Sequence, residues 1–230
     1  MSNLRGIEKK IAEFIKGEGR LLYGFASVES LREGFAEELK GISEGLNYAI
    51  SIAIPLNLEV LKGIENQPTV LYKHLYRQAN YFLDRVALKL SLLLEAEGYR
   101  SIPIPASVYV DREKRRGHLS HRDVAWLAGI GWWGKNNLIV SPVYGSGIRL
   151  ATVLTEVELS PTGPLEGGGC EDCDLCARAC PARAIGDSLS QFNREACFAK
   201  VREFEKRVIG VGICGICVKA CALRFEARRK

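Results

Sequence analysis

The sequence predicts an α/β or α+β body followed by a small cysteine-rich module, and three observations support this prediction. Strand-like and helix-like segments are interspersed through the first two thirds of the chain. All eight cysteines lie after residue 169. Turn-forming residues at 160–164 and 167–169 mark the change in composition. We therefore predict two domains, at residues 1–160 and 161–230.

Hydrophobic spacing predicts the main elements of the body. Apolar residues recur at helical spacing over 7–15, and Gly17 provides a stop signal for this helix. Residues 48–54 form a short apolar run rich in β-branched residues, which indicates a buried strand. The longest helical pattern lies between Pro68 and Gly98, with Thr69 as its cap. We expect this helix to be central to the core.

The end of the body contains a short helix and two strand-like segments. Ser120 is a good N-cap, and Asp123 stands three residues later, in the capping-box position, before a helix that ends at Gly129. Residues 139–140 and 148–154 are typical of strands, and the turn formers between them predict a β-hairpin. We therefore expect a layer of helices on a mixed or antiparallel sheet.

The composition is that of a soluble globular protein, with 47% hydrophobic and 26% charged residues in a chain of 230. No apolar run approaches the roughly 18 residues that a membrane span needs, and the first residues lack the pattern of a signal peptide. We therefore predict a cytoplasmic protein with no membrane partner. Because thiols stay reduced in that compartment, the cysteines are better interpreted as metal ligands or redox groups than as disulfides.

The cysteines form two sets with the spacing of a two-cluster ferredoxin. The first set, C-x2-C-x2-C-x3-C followed by Pro181, consists of Cys170, Cys173, Cys176 and Cys180. The second set repeats the ending C-x2-C-x3-C and consists of Cys197, Cys214, Cys217 and Cys221. In the bacterial ferredoxin run three thiolates bind one 4Fe-4S cluster and the fourth binds the other. We therefore assign one cluster to Cys170, Cys173, Cys176 and Cys221, and the other to Cys180, Cys197, Cys214 and Cys217.

Zinc is the alternative metal, because C-x2-C pairs also build tetrahedral zinc sites. Zinc sites usually group their cysteines as two separated pairs, and a C-x2-C-x2-C triplet does not fit that arrangement. Alanines and a glycine surround the cysteines, as a bulky inorganic core requires. The sequence therefore favours iron and sulfide over zinc.

Residues 129–138, GIGWWGKNNL, combine three glycines with two tryptophans. This pattern differs from a dinucleotide-binding fingerprint, because the third glycine comes too early and no helix follows. It indicates a backbone that closely approaches a partner, beside flat aromatic surface and amide donors. A tight turn with core tryptophans is the structural alternative.

This segment and the cysteine-rich end together resemble the epoxyqueuosine reductase family, whose members are cobalamin-dependent iron–sulfur enzymes related to the reductive dehalogenases. The resemblance rests on residues 128–136, 141–142, 145–146 and 153–155, and on the cysteine run that ends in Cys180-Pro181. It covers about residues 120–221 and is loose over the first hundred residues. Typical members continue into a helical-repeat extension that helps them to hold tRNA, whereas this sequence stops at Lys230.

The resemblance implies a nitroreductase-like body that binds cobalamin, followed by a ferredoxin-like module with two 4Fe-4S clusters. It also implies a set of corrin contacts, which would be Gly129, Gly131, Trp132, Trp133, Gly134, Lys135, Asn136 and Ser141. The chain departs from the family where a conserved acid would stand, since residues 104–107 read Ile-Pro-Ala-Ser. The candidates for proton donation to the substrate are then Asp111, His121 and Tyr109. A surface position is the structural alternative for Asp111, and a place at the start of a helix is the alternative for His121.

The function predicted from these features is a cobalamin-dependent iron–sulfur reductase. An external donor of the ferredoxin or flavodoxin type would supply electrons, and a small molecule or modified nucleoside would be reduced. One alternative is epoxyqueuosine reduction on tRNA by a shortened enzyme, supported by the basic residues within 112–116. The other is a non-catalytic protein that transfers electrons or handles a cofactor.

Overall fold

The computed structural model describes residues 2–111 and 113–229 and shows a mixed helix-and-sheet fold, as predicted. The strands are β1 (Leu22–Ser27), β2 (Tyr48–Pro55), β3 (Ser101–Ile104), β4 (Trp132–Trp133), β5 (Ile139–Val140) and β6 (Ile148–Thr155). The α-helices are α1 (Ser2–Gly17), α2 (Glu37–Ile42), α3 (Leu58–Lys62), α4 (Val70–Ala96), α5 (His121–Leu127), α6 (Leu175–Ala179), α7 (Arg194–Phe204) and α8 (Ile216–Arg224). A π-helical turn (Glu205–Ile209) continues α7, and 3-10 turns lie at Glu29–Gly34, Leu189–Gln191 and Glu226–Arg229.

The chain forms two compact units, each built from three segments. The first unit contains Met1–Ile54, Asn80–Ile130 and Arg149–Leu165, and the second contains Pro55–Ala79, Gly131–Ile148 and Glu166–Lys230. This division differs from the predicted domains 1–160 and 161–230. The reason is that residues 55–79 and 131–148 pack with the cysteine-rich segment. The amine of Lys73, for example, donates to the carbonyl oxygen of Ile209 at 2.8 Å.

A four-stranded sheet with strand order β1-β2-β6-β3 organises the first unit. The two outer pairs, β1–β2 and β3–β6, are antiparallel. One core cluster joins buried residues of α1, α4 and the sheet, including Ile11, Ile50, Leu83, Leu90 and Val153. Leu83, Val86, Leu90 and Leu94 of the long helix are buried in this core, as the apolar pattern predicts, whereas Leu71, near the start of the helix, is 60% exposed.

Side-chain caps define the beginnings of two helices, as the sequence predicted. The backbone N–H of Tyr72 donates to the hydroxyl of Thr69 at 3.1 Å, before the first turn of α4. The N–H of Asp123 donates to the hydroxyl of Ser120 at 3.3 Å, at the start of α5. Helix α5 ends at Leu127, slightly before the predicted end at Gly129. Within the described part of the chain, no helix has both the length and the apolar character that crossing a bilayer requires.

The predicted hairpin between residues 139–140 and 148–154 is wrong. Strand β5 pairs with β4 in a separate two-stranded sheet, with Trp132 opposite Val140 and Trp133 opposite Ile139. Strand β6 instead pairs with β3 in the large sheet. The turn formers between β5 and β6 make a closed loop, in which the backbones of Ser141 and Gly145 bond to each other at 2.9 and 3.0 Å.

Candidate iron–sulfur site

All eight cysteines lie in the second unit and none forms a disulfide. Helices α6 and α8 pack against each other in this unit. Cys176 lies on α6, while Cys217 and Cys221 lie on α8. Each C-x2-C-x3-C run thus places its middle cysteine near the start of a short helix. The pairing of these two helices brings the two sequence-distant runs together.

The first group of thiols surrounds Cys176. Burial raises the pKa of this thiol to about 11, and negative charge on Cys221, Cys170 and Cys173 raises it as well. Burial also raises the pKa of Cys221, and charge on Cys170 and Cys173 acts in the same direction. These four cysteines are the set that the spacing assigned to one cluster. Their binding of that cluster stays a prediction.

The second group surrounds Cys214. Burial raises the pKa of the Cys214 thiol to about 11, and charge on Cys197 and Cys180 contributes to the rise. Burial raises the pKa of Cys217 well above its ordinary value, and among the contributing charges are Cys214, Cys197, Cys176 and Cys180. Cys180 therefore lies with the second group, although its motif belongs to the first. Cys176 and Cys217 lie on α6 and α8, and the packing of these two helices brings the two groups close together.

Crowded thiols of this kind need a positive centre before they can all ionise, because each thiolate disfavours the ionisation of its neighbours. In the described residues, no three His, Cys, Asp or Glu side chains are arranged to bind a single metal ion. In a 4Fe-4S cluster each thiolate binds a different iron, so the ligands do not converge on one point. The donor set therefore fits the cluster chemistry that the spacing predicts.

A small cavity beside the first group gives a second test of this fit. It is lined by Cys170, Cys173, Cys176 and Cys221, together with Trp132 and Asn136. The indole nitrogen of Trp132 is buried and has no hydrogen-bond partner in the described structure. Its ring packs near Phe225, with 6.3 Å between the ring centroids. Because a buried N–H is costly without an acceptor, a cluster sulfur would satisfy this group.

The loop between β5 and β6 lies against Cys221. Gly145 has a left-handed φ of +59°, and a Cβ at this position would lie 2.8 Å from the Cys221 carbonyl oxygen and 3.0 Å from its sulfur. The backbone N–H of Ser146 donates to the Cys221 sulfur at 3.2 Å. In the second group, the N–H of Ala184 donates to the Cys180 sulfur at 3.4 Å. Each group thus receives a backbone donor of the kind that stabilises thiolate ligands.

The glycines of the GIGWWGKN segment are explained by contacts inside the protein. A Cβ on Gly131 would lie 2.3 Å from the Val140 carbonyl oxygen, and one on Gly134 would lie 2.6 Å from a methyl group of Val140. These two glycines therefore allow β4 and β5 to pair. Gly129, in the first unit, has a φ of +67° and approaches the carbonyl oxygen of Gly163, which a Cβ would meet at 2.8 Å.

The polar groups predicted to contact cobalamin are also used inside the second unit. Lys135 donates its amine to the carbonyl oxygen of Glu171 at 2.7 Å. Asn136 donates to the hydroxyl of Ser146 at 3.1 Å. The hydroxyl of Ser141 accepts from two backbone N–H groups of its own loop, at 3.3 and 3.4 Å. Each of these polar side chains thus has a partner inside the protein, and Trp132 and Trp133 are both half-buried on β4. The cobalamin role of the whole set stays a prediction.

The three predicted proton donors lie in different surroundings. Tyr109 is 50% exposed in the segment between β3 and α5. The carboxylate of Asp111, in the same segment, accepts from the backbone N–H of Lys114 at 2.8 Å. Arg112, a member of the basic cluster, lies outside the described residues. His121, at the start of α5, has both ring nitrogens engaged.

The surroundings of His121 determine its protonation state. Its Nε2 lies 2.9 Å from the carbonyl oxygen of Pro105, and its Nδ1 lies 2.8 Å from the hydroxyl of Thr152. Because a carbonyl can only accept, Nε2 carries the proton and Nδ1 accepts from Thr152. Burial lowers the pKa of His121 to about 4, opposed by the hydrogen bond to Pro105 and assisted by the charge of Arg149. In this conformation His121 is a neutral structural group and a poor proton donor.

We expect His121 to make folding stability depend on pH. The unfolded residue binds a proton near its ordinary pKa of 6.5, whereas the folded residue binds one only near 4. Its contribution is therefore complete above pH 6.5 and is lost as the pH falls toward 4. Lowering the pH from about 7.5 to about 5.5 should reduce the free energy of unfolding by about 1 kcal/mol through this residue.

Urea unfolding of the anaerobic holoprotein at these two pH values measures the effect. The control is His121→Gln, which keeps a donor for Pro105 but cannot protonate. As the pH falls, the free energy of unfolding of His121→Gln should rise relative to that of the wild type by about 1 kcal/mol. An equal pH dependence in both proteins would show that His121 is not the source.

The two units and the two thiol groups define a class of protein that combines an α+β unit with a unit carrying ferredoxin-type cysteine sets. Within this class, the chain is similar to epoxyqueuosine reductases and reductive dehalogenases. It is 41% identical to the epoxyqueuosine reductase of Listeria monocytogenes over 69 residues, which are 30% of this chain and 18% of the relative. The matched segment thus spans less than a fifth of that relative. No family model matches the chain.

The fold extends the resemblance over nearly the whole chain. An epoxyqueuosine reductase solved with an epoxyqueuosine-modified tRNA-Tyr stem loop superposes with a TM-score of 0.67 and 22% identity, over 97% of this chain and 67% of that one. A catabolic reductive dehalogenase in complex with 3-bromo-4-hydroxybenzoic acid gives a TM-score of 0.69 and 18% identity, over 87% of this chain and 29% of that one. The predicted resemblance to the epoxyqueuosine reductase-like proteins is confirmed, and at these identities the superpositions show the shared fold.

Proposed function

We propose that the chain is an iron–sulfur oxidoreductase in which two 4Fe-4S clusters deliver electrons singly for a cobalamin-dependent reduction. The observation that carries this proposal is the pair of adjacent four-cysteine groups in the second unit. One electron enters or leaves each cluster at a time, so two clusters together hold the two electrons that breaking a carbon–oxygen or carbon–halogen bond requires. The reductive dehalogenase and epoxyqueuosine reductase likenesses support the same class of chemistry.

Cobalamin is proposed from these likenesses and not from a set of contacts in this chain. When bound, it supplies a reduced metal centre that can break such a bond in a substrate. Lys135, Asn136 and Ser141 act within the second unit, where they hold the loops beside the cysteines. For the proton that the leaving group needs, Asp111 and Tyr109 remain our candidates, because His121 is half-buried and neutral and both its ring nitrogens are hydrogen-bonded.

The proposed substrate is a small molecule or a modified nucleoside, and the proposed electron donor is a protein of the ferredoxin or flavodoxin type. The structural relatives support both substrate classes, one as a complex with a tRNA stem loop and one with a halogenated aromatic acid. Reduction of epoxyqueuosine on tRNA is the second candidate. Lys114 and Arg116 are exposed on the same segment as Tyr109, which suits a phosphate backbone beside a flat base.

A non-catalytic electron carrier is the remaining alternative. It is favoured by the internal use of the polar groups that the motif predicted for cobalamin. A carrier and a reductase would share the clusters but differ in their response to the cofactor. The distinction therefore depends on a binding experiment with cobalamin.

Anaerobic purification followed by metal and sulfide analysis tests the clusters. We expect about eight irons and eight sulfides per chain, with two one-electron couples in a redox titration. Cobalamin is then added, and the absorption spectrum is followed for conversion to the base-off form. A spectral shift that saturates at one cobalamin per chain supports the reductase, whereas intact clusters with no shift support the carrier. Zinc in place of iron would exclude both.

A further inference from the structure

Asn136 and Ser146 form a buried hydrogen bond beside the first cysteine group. The two residues are only 4% and 2% exposed. The carbonyl oxygen of the Asn136 side chain accepts from the backbone N–H of Leu138 at 3.3 Å. This contact orients the amide, so its nitrogen is the atom that donates to the Ser146 hydroxyl oxygen at 3.1 Å.

Ser146 links Asn136 to Cys221. Its hydroxyl oxygen accepts from the Asn136 amide. The backbone N–H of Ser146 donates to the Cys221 sulfur at 3.2 Å. Asn136 and Cys221 also line the same cavity. The bond from Asn136 therefore holds in place the residue whose N–H reaches one cluster ligand.

We propose that Asn136 and Ser146 are positioning residues that raise the reduction potential of the cluster bound by Cys221. This inference rests on the proposed pair of clusters. A reduced cluster carries one more negative charge than an oxidised one, with no bond formed and no proton taken up. Donors to a thiolate ligand withdraw charge from the cluster and therefore stabilise the reduced form.

The second group provides an internal reference. Cys180 receives its hydrogen bond from the backbone N–H of Ala184 at 3.4 Å, and substitutions in the loop between β5 and β6 leave this donor in place. Changes at Ser146 should therefore shift one of the two couples and leave the other unchanged. A general loss of packing would be expected to disturb both.

The test is an anaerobic redox titration of the holoprotein, monitored by electron paramagnetic resonance. Ser146→Ala removes the bond to Asn136 that holds the Ser146 N–H on the Cys221 sulfur, and it should lower one couple by about tenfold in its equilibrium constant, which is about 59 mV for one electron. Ser146→Thr keeps the hydroxyl and should restore the couple. The matched control is Ser141→Ala, because Ser141 is equally buried in the same loop, at 1% exposure, but its hydroxyl accepts from two backbone N–H groups of that loop.

A double-mutant cycle tests the part played by Asn136. Asn136→Leu should lower the same couple by about as much as Ser146→Ala does, because both substitutions remove the same hydrogen bond. Adding Asn136→Leu to Ser146→Ala should then give no further shift. Additive shifts would overturn the relay.

Several outcomes separate this inference from the proposed function. A wild-type protein with two couples, in which Ser146→Ala and Ser141→Ala behave alike, overturns the inference and leaves the clusters in place. Equal shifts in Ser146→Ala and Ser146→Thr overturn it as well. If Ser146→Ala loses its clusters, Asn136→Leu becomes the decisive variant. A couple that stays at the wild-type potential in Asn136→Leu, as it should in Ser146→Thr, overturns the relay. The absence of two iron–sulfur couples in the wild-type protein would contradict the proposed function itself.

Discussion

Replacing Cys180 by Ser will remove the cluster of the second group, which contains Cys197, Cys214 and Cys217, and will leave the cluster of the first. The position of Cys180 at the end of the motif that begins at Cys170 would by itself suggest that the first cluster is lost. In the structure, however, charge on Cys180 acts on Cys214 and Cys217. The iron content of the anaerobic protein should therefore fall from about eight to about four per chain.

The identity of the lost cluster is the sharper part of this prediction. Cys214→Ser and Cys176→Ser provide the two references, one for each group. The redox and paramagnetic signature of Cys180→Ser should match that of Cys214→Ser and differ from that of Cys176→Ser. A match with Cys176→Ser would mean that each motif binds its own cluster, and our ligand assignment would be wrong. Serine is chosen because it is nearly isosteric with cysteine.

The sequence predicted the elements whose signals are local. The long helix α4, the buried strand β2 and the caps Thr69 and Ser120 depend on residues within one or two turns of each other. The cysteine sets were recognisable for a similar reason, since their short spacings directly reflect the curl of backbone around a cluster. These features required no knowledge of the tertiary structure.

The partner of each strand could not be predicted from the same signals. Residues 139–140 have too few side chains to choose between neighbours, so the turn formers after them suggested a hairpin with β6. Gly131, just before β4, lets the backbone approach Val140 closely and so permits this pairing. The glycines indicate a close approach in the sequence, but they do not say which segment of the chain is approached.

Ser146 was the main residue that the sequence analysis did not assign to the site. It entered only as part of the family resemblance, because a serine in a glycine-rich turn carries no signal of its own. Its importance depends on two distant residues, Asn136 and Cys221, which the fold brings to it. The reverse holds for His121, whose position suggested an acid but whose burial between Pro105 and Thr152 makes it a structural group.

The close contact of the loop with Cys221 leads to the second large effect. Gly145→Ala should destabilise the holoprotein by about 2–5 kcal/mol and reduce the iron bound by the first group. About 1–2 kcal/mol comes from placing a side chain at a left-handed φ. The remainder comes from overpacking, typically about 1–3 kcal/mol, because the new methyl group would meet the Cys221 carbonyl oxygen at 2.8 Å and the Phe225 ring at 2.9 Å.

Gly210→Ala is the matched control for this substitution. Gly210 has a similar φ of +64° and lies in the same unit, but a Cβ there meets nothing within 4 Å. The Gly210→Ala protein should therefore lose only the conformational part of the free energy of unfolding, about 1–2 kcal/mol, and should keep its full iron content. The urea concentration at which the visible absorption of the cluster disappears measures both variants under the same anaerobic conditions. Equal losses in the two variants would show that backbone conformation accounts for the effect and that the contact between the loop and Cys221 is not needed to hold the cluster.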